Sequence, residues 1–359
     1  MAKTTSFYNK KIKGKIMKKP FIKFVCKKGL FYLFAIFLAV SFIIVLPRFM
    51  PSNPIDLMFS PRSFATGGVG TGGGGLVASL AQVRQAMKAH FGLDKPLYIQ
   101  YLSAWERIFQ RDFGVSYHRY PILVGRLIAD ALPFSLVIVV PVILISFFLG
   151  NWIGSRTAFL KGKWSGLAYY VTLSISRMPF YWFAMILIFF LAAKSGWFPI
   201  YGWITPERIP AFNLNTVLDI AHHYALPFFS ILLVSVGIWT VGMRSMILYE
   251  MDSDYILYSE QLGFKKDSLR RYAQRNAILP QFTGFNLVFS SLIGQTMITE
   301  IVFGWPGLGL LGYKAVLNLD FPLLLGVFMI TVIVVLIGNF VVDILYGFLD
   351  PRIRTGYVG

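Results

Sequence analysis

The sequence holds a single cysteine, Cys26, so no disulfide within the chain is possible. Charge is scarce as well. Only 14% of residues are Asp, Glu, Lys or Arg, well below the usual quarter or so of a soluble globular chain. Three catalytic signatures are missing. No GxxxxGK[ST] phosphate loop occurs, no His-Glu-x-x-His zinc helix, and no Gly-x-Ser-x-Gly nucleophile turn. The adjacent pair His222 and His223 would need further ligands to hold a metal, so it reads as an interfacial pair and no metal site is expected. A phosphate-binding role for the glycine-rich stretch SPRSFATGGVGTGGGG is excluded on the same grounds; by composition it is a flexible linker.

What is abundant is apolar surface. Hydrophobic residues make up 56% of the chain and aromatics 17%, with a mean hydropathy of +0.63. Such a chain belongs in a bilayer. A net charge of +18 raises nucleic acid as a partner, yet ten lysines fall within the first 28 residues, directly ahead of an apolar run. Anionic headgroups are the simpler partner there, and no nucleic acid is expected.

A spanning helix takes about 20 mostly apolar residues. Six runs approach or exceed that length: residues 29–46, 133–154, 166–192, 224–243, 278–303 and 322–346. The first lacks a small-x-small cleavage pattern after it and reads as a retained helix rather than a signal peptide. Orientation follows from the short loops. Residues 155–165 carry three basic residues and 244–277 six, whereas 193–223 carry two and 305–321 only one. The richer loops and the leader therefore face the cytoplasm, and six spans return the C-terminus to the same side. The fold class is an all-α polytopic membrane protein with six transmembrane helices, both termini cytoplasmic, and a small helical extracellular insertion between helices 1 and 2. Its expected divisions are a basic leader (1–28), the first helix (29–46), the insertion with its linker (47–132), a five-helix core (133–346) that includes a cytoplasmic segment (250–277), and a tail (347–359). Within the insertion, residues 76–109 read as two amphipathic helices separated by Gly92 and Pro96.

The cytoplasmic segment contains YSEQLGFKKDSLRRYAQRNAILP, polar and basic between two membrane-length runs. Tyr255, Tyr258 and Leu262 share a helical face; Gly263 permits a turn; Asp267 is placed to cap a second helix with Leu269, Tyr272 and Ala273 opposite Arg270, Arg271 and Arg275. Two readings remain open on these features: an interfacial helix on anionic lipid, or a docking element for a cytoplasmic partner.

A charge at the bilayer centre costs about 2.5–3.5 kcal/mol on insertion scales, so charged residues inside the spans face protein or water. Arg177 precedes Met178-Pro179, where the proline should break the third span, and is expected to contact backbone carbonyls or a carboxylate. Asp343 reads as a residue about one turn from the cytoplasmic end. Asn286, Ser290, Gln295 and Glu300 in the fifth span are candidate pathway residues; the alternative is helix-to-helix hydrogen bonding, and for Glu300 support of the following WPGLG loop. Trp305, Pro306 and Gly307 read as an outer loop or gate.

Several stretches resemble the membrane subunits of binding-protein-dependent ABC importers, in the dipeptide and oligopeptide permease branch. They are SEQLG at 259–263 with Ile278-Leu279-Pro280, HFGLDKPLYIQYL, DFGVSY, TEIVFGWPGLGLL at 299–311 and NFVVDILYGFLDPRIR. The Glu-Ala-Ala-like opening of the branch's coupling element is absent. The resemblance implies a prokaryotic cell-membrane subunit that hydrolyses nothing itself, with no cofactor on this chain and ATP and Mg on partner subunits. The implied partners are a second homologous permease, two cytoplasmic ATPases and an extracellular or periplasmic solute-binding protein. It implies peptide cargo, with oligosaccharide or a nickel complex as alternatives, and ATPase coupling through Tyr255, Tyr258, Glu260, Gly263, Lys265, Leu269, Arg270 and Tyr272. An ATP-independent channel or secondary transporter is the rival from another class, although no internal repeat is evident; an intramembrane enzyme lacks a nucleophile or metal constellation.

Overall fold

The computed structural model describes residues 2–45, 95–159, 162–211 and 213–349. All regular elements there are helical apart from one isolated antiparallel bridge, Val115 to Leu123. In chain order they are α1 (Ala2–Val45), α2 (Leu97–Phe109), α3 (Val124–Phe159), α4 (Lys163–Arg177), α5 (Phe180–Leu187) continued by a π-helical turn (Ile188–Lys194), α6 (Leu214–Met251), α7 (Asp254–Gln261), α8 (Lys266–Phe303), α9 (Leu308–Leu317) and α10 (Phe321–Leu349). The glycine-rich linker, the first of the two amphipathic helices expected in the insertion, and residues 350–359 of the tail lie outside the described residues.

Among the described residues five helices are long and apolar enough to cross a membrane: Phe21–Val45, Val124–Phe159, Leu214–Met251, Lys266–Phe303 and Phe321–Phe348. The expected third span, residues 166–192, is broken. Gly166–Arg177 and Phe180–Lys194 meet at 105°, so six crossings result if the bent pair counts as one. The cause is local. Pro179 disfavours helix at the residue before it, and Met178 accordingly adopts φ −76, ψ 137 before α5 begins. Arg177 differs from expectation: it is exposed in the last turn of α4 and its side chain has no hydrogen bond or ion pair among the described residues. A cation in that position complements the helix C-terminus.

Helices also outrun the apolar runs. α6 and α8 are 38 residues each, or about 57 Å at 1.5 Å per residue, roughly twice the hydrocarbon thickness. Hydropathy marks the lipid-facing length, whereas backbone hydrogen bonding continues into the polar flanks.

The chain forms two compact units. The first comprises Met1–Leu33, Pro133–Leu310 and Val334–Gly359. Its spine is α6, whose buried residues run from Thr216 to Ile247. Ile231, Leu232 and Val236 pack with Ile138, Val142, Ile143, Leu292 and Trp305. Lipid is as apolar as leucine, so close packing rather than transfer from water must hold such helices together. The sequence Gly150-Asn-Trp-Ile-Gly154 supplies the closeness. A Cβ on Gly150 would lie 2.5 Å from Cβ of Trp239, and one on Gly154 2.5 Å from the carbonyl oxygen of Thr240. The Thr240 hydroxyl donates to the carbonyl of Gly150 at 3.2 Å. Leucine at Gly150 or Gly154 should therefore push α3 from α6 and lower the yield of folded protein several-fold. Unchanged yield and melting temperature for Gly154→Leu would contradict this packing.

The second unit comprises Phe34–Leu132 and Leu311–Ile333. Val40, Ile43 and Met329 form its core, with Trp105, Ile108 and Phe113 against them. The amphipathic α2 docks through Trp105, stacked on Phe37 at 5.2 Å, and Tyr101, whose hydroxyl is 2.7 Å from that of Ser41. Asp320 is fully buried. It accepts the Ser116 hydroxyl, the N–H of Tyr117 at 3.1 Å, that of His118 at 3.2 Å and that of Leu323 at 3.3 Å. One carboxylate thus caps α10 and ties the loop after α2 to it.

Candidate functional site

The segment between α6 and α8 is built around a short buried floor. Ile256 of α7 is 1% exposed and packs on Leu269, Ala273 and Met251. Met243, Ile247 and Ala277 continue that layer. The inward stripe of α8 is therefore Leu269, Ala273 and Ala277, spaced four residues apart as one helical face requires. Two expectations change. Leu269, at 2% exposure, is turned into the chain's own packing rather than offered to a partner, and Tyr272, at 43%, stands on the outer face instead of beside it. Asp267 also differs: Lys265 takes the position before α8, and Asp267 lies within its first turn, where a carboxylate suits the helix dipole.

The turn after α7 has a specific geometry. Gly263 has φ +80. Its N–H donates to the carbonyl of Glu260 at 2.9 Å, while the N–H of Phe264 reaches back to Ser259 at 3.2 Å. These are the two bonds of a Schellman closure, which places its left-handed residue at Gly263. A side chain there would meet open space but carry left-handed strain of about 1–2 kcal/mol.

Tyr255 staples the segment. Its hydroxyl donates to Glu250 at 2.5 Å and accepts from the Asn276 amide at 2.8 Å, joining the end of α6, α7 and α8. Burial first, then the bond to Glu250, holds the phenol above its ordinary pKa, which keeps it a neutral donor at physiological pH. Outward, Tyr258, Leu262, Phe264 and Tyr272 are exposed, with the rings of Phe264 and Tyr272 6.4 Å apart. Glu260, Lys265, Lys266, Arg271 and Arg275 surround them, all exposed. Arg270 lies over the Phe159 ring at 5.5 Å and 3.5 Å from Asp267. The eight residues expected on this segment thus come together, six of them on its surface, with Tyr255 partly engaged within and Leu269 buried. Phe264 was missed; its place directly after the glycine, opposite Tyr272, is fixed by the turn geometry and not by helical periodicity.

The candidate pathway residues do not share one surface. α8 and α10 are joined by three side-chain pairs in opposite chain order. The Thr283 hydroxyl lies 2.9 Å from that of Tyr346, the Asn286 amide donates to Asp343 at 2.6 Å, and the Asn339 amide donates to Ser290 at 3.0 Å. This is an antiparallel ladder, one rung per turn. Asn286 and Ser290 therefore bind helix to helix, the alternative that the sequence left open. Asp343 is a hub: it also meets the Lys28 ammonium at 2.8 Å and accepts from the Tyr32 hydroxyl at 3.0 Å. Replacing Asn286 by leucine or Ser290 by alanine should leave cargo choice unchanged and lower stability by about 0.6 kcal/mol per lost bond. Altered cargo with an unchanged melting temperature would return both residues to the pathway. Gln295 is half-buried and joins neither group.

Glu300 supports the loop that follows α8. It is 0% exposed, and its carboxylate accepts the N–H of Gly309 at 2.6 Å. A Cβ on Gly307 would run into that carboxyl group. Trp305 is buried, its indole N–H donating to the carbonyl of Phe134 at 2.9 Å, and the Leu308 N–H donates to the Ser135 hydroxyl at 2.8 Å. Trp305, Pro306 and Gly307 thus belong to a folded knot over Glu300, with Pro306 alone half-exposed. Among the described residues no group of three His, Cys, Asp or Glu is placed to hold a metal ion.

Comparison with known proteins bears on this arrangement. Residues 150–355 match the family described as binding-protein-dependent transport system inner membrane component. The chain is 31% identical to the oligopeptide transport system permease protein AppB of Bacillus subtilis, over 88% of this chain and 93% of that protein. It is 28% identical to the oligopeptide transport system permease protein OppB of Haemophilus influenzae, over 93% and 99%. It is also 29% identical to the metal-staphylopine import system permease protein CntB of Staphylococcus aureus, over 74% and 81%.

Proposed function

The chain belongs to the family of binding-protein-dependent transport system inner membrane components, and from that premise we propose that it forms part of the transmembrane pathway of an ATP-driven peptide importer. It is a multi-pass membrane protein and a permease subunit rather than an enzyme. Its proposed setting is the cell membrane of a prokaryote. A second permease completes the pathway, a solute-binding protein delivers cargo outside, and two ATPases carrying ATP and Mg drive alternating access. The divisions expected from the sequence stand as part of this proposal, with residues 250–277 as the coupling segment.

The observation that carries the reading is the exposed surface of three aromatics and a leucine, Tyr258, Phe264, Tyr272 and Leu262, on a segment stapled by Tyr255. Aromatic and arginine-rich surfaces with a rigid floor are the composition of protein docking sites. A purely lipid-bound helix would gain nothing from the fixed turn at Gly263. Movement of an ATPase against this segment would be passed to α6 and α8, which it joins directly. Peptide is the proposed cargo because two of the relatives above are named oligopeptide permeases. A metal chelate is the second reading, favoured by the likeness to the metal-staphylopine permease.

The test is uptake by the complete complex in proteoliposomes, with ATP inside and labelled cargo delivered by its binding protein outside. ATP-dependent accumulation of a short peptide supports the reading; accumulation of a metal chelate and no peptide keeps the mechanism and changes the cargo. Transport by this chain alone without ATP would overturn it.

A further inference from the structure

Outside the coupling segment, the second unit carries a small notch lined by His118, Arg119, Lys314, Asn318 and the buried Asp320 above an apolar floor that includes Leu311. We propose that this notch is the docking point for a side-chain carboxylate of the extracytoplasmic solute-binding protein, an inference that rests on the importer reading above. Its volume is about 60 Å³, room for one carboxylate group and too little for a peptide. His118, Arg119, Lys314 and Asn318 are exposed on the rim. Among the described residues, neither Arg119 nor Lys314 has an ion pair or a side-chain hydrogen bond.

Among the described residues Asp320 forms no ion pair with either cation; its oxygens accept from Ser116, Tyr117, His118 and Leu323. Those same bonds fix the backbone beside Arg119, whose own N–H donates to the Ser116 hydroxyl at 3.0 Å. The cationic rim is thus held in place by a buried hub and, among the described residues, has no ion-pair partner. Its neighbours in the chain favour a protein over a free ion: Tyr120, Ile122, Tyr313 and Leu317 are all exposed. Tyrosine and arginine around a small pocket match the composition of protein hot spots, and rim charges speed encounter with an acidic partner. The sparse basic count of the 305–321 loop, one residue, places this side outside.

The experiment uses the whole complex in nanodiscs and the binding protein retained on it when it is purified from native membrane. ATPase rate is measured against concentration of that binding protein at low and physiological salt, for wild type and for the double variant Arg119→Glu, Lys314→Glu. The notch predicts a half-saturating concentration at least roughly tenfold higher in the variant, with a weaker salt dependence, and unchanged rates both without binding protein and at saturation. Arg119→Gln, Lys314→Gln should fall between, which guards against misfolding of the charge-reversed chain. An unchanged half-saturating concentration overturns the notch. So does a shift that appears only with carboxylate-bearing cargo and vanishes with amidated cargo, which would assign the notch to cargo. Wild-type complex that no binding protein stimulates would instead overturn the importer reading itself.

Discussion

Substituting Tyr258 and Tyr272 together by glutamate should abolish ATP-driven uptake while the chain remains folded and inserted. Both side chains point away from the floor made by Ile256, Leu269 and Ala273, so neither change opens a cavity. What changes is the exposed surface proposed to meet the ATPases. Truncation of a central aromatic at a protein interface typically costs about 2 kcal/mol or more, and two buried carboxylates would add desolvation to that loss. A combined effect of about 4 kcal/mol weakens association on the order of a thousandfold. ATPase subunits should be lost from the purified complex, and cargo should still bind the solute-binding protein. The contrast is Ile256→Ala, which should lower stability by about 2–5 kcal/mol through the cavity it leaves and disturb uptake only as the fold weakens. Full uptake by the double glutamate variant would show that the coupling surface lies elsewhere.

The second large effect is expected at Gly307. Valine there must occupy the space of the Glu300 carboxyl group. Overpacking costs about 1–3 kcal/mol, and displacing a buried carboxylate from the Gly309 N–H leaves it without that donor, about 1–3 kcal/mol more. A melting temperature lowered by several degrees and a several-fold loss of mature protein should result. Because the two groups touch, Glu300→Ala in the Gly307→Val background should cost less than the sum of the single changes. Strict additivity would mean that the two do not share the space. Pro306→Ala, at a half-exposed position, serves as the mild control.

The positions of the spans were legible from hydropathy because lipid imposes one strong requirement along the chain. The break at Met178-Pro179 was legible too, since proline acts on its own backbone neighbourhood. What hydropathy does not encode is which side of a helix meets which neighbour. Asn286 and Ser290 carry the same chemistry whether they line a pathway or bind α10, and only the facing residues Asp343 and Asn339 decide between them. Glu300 was balanced between two roles for the same reason, and the nine-residue separation from Gly309 resolved it only after the chain had turned at Gly304. In the segment proposed for coupling the elements were legible, but the facing was shifted: Leu269 and Tyr272 differ by three residues, close enough to suggest one face, while the true inward stripe steps by four through Ala273 and Ala277. Ala273 was read on that face beside Leu269, but the small Ala277 gave no apolar signal to extend the stripe. The Gly150 and Gly154 contact went unread although its spacing is a known sign of close helix packing.

The most direct test of the central claim is photo-crosslinking from position 258 in native membrane, with a photoreactive phenylalanine derivative in place of Tyr258 and the adduct identified by mass spectrometry. The account predicts an adduct with an ATPase subunit bearing a phosphate loop, formed in high yield at 258 and not at the buried position 256. An adduct confined to lipid, with no ATPase recovered from either position, would contradict it.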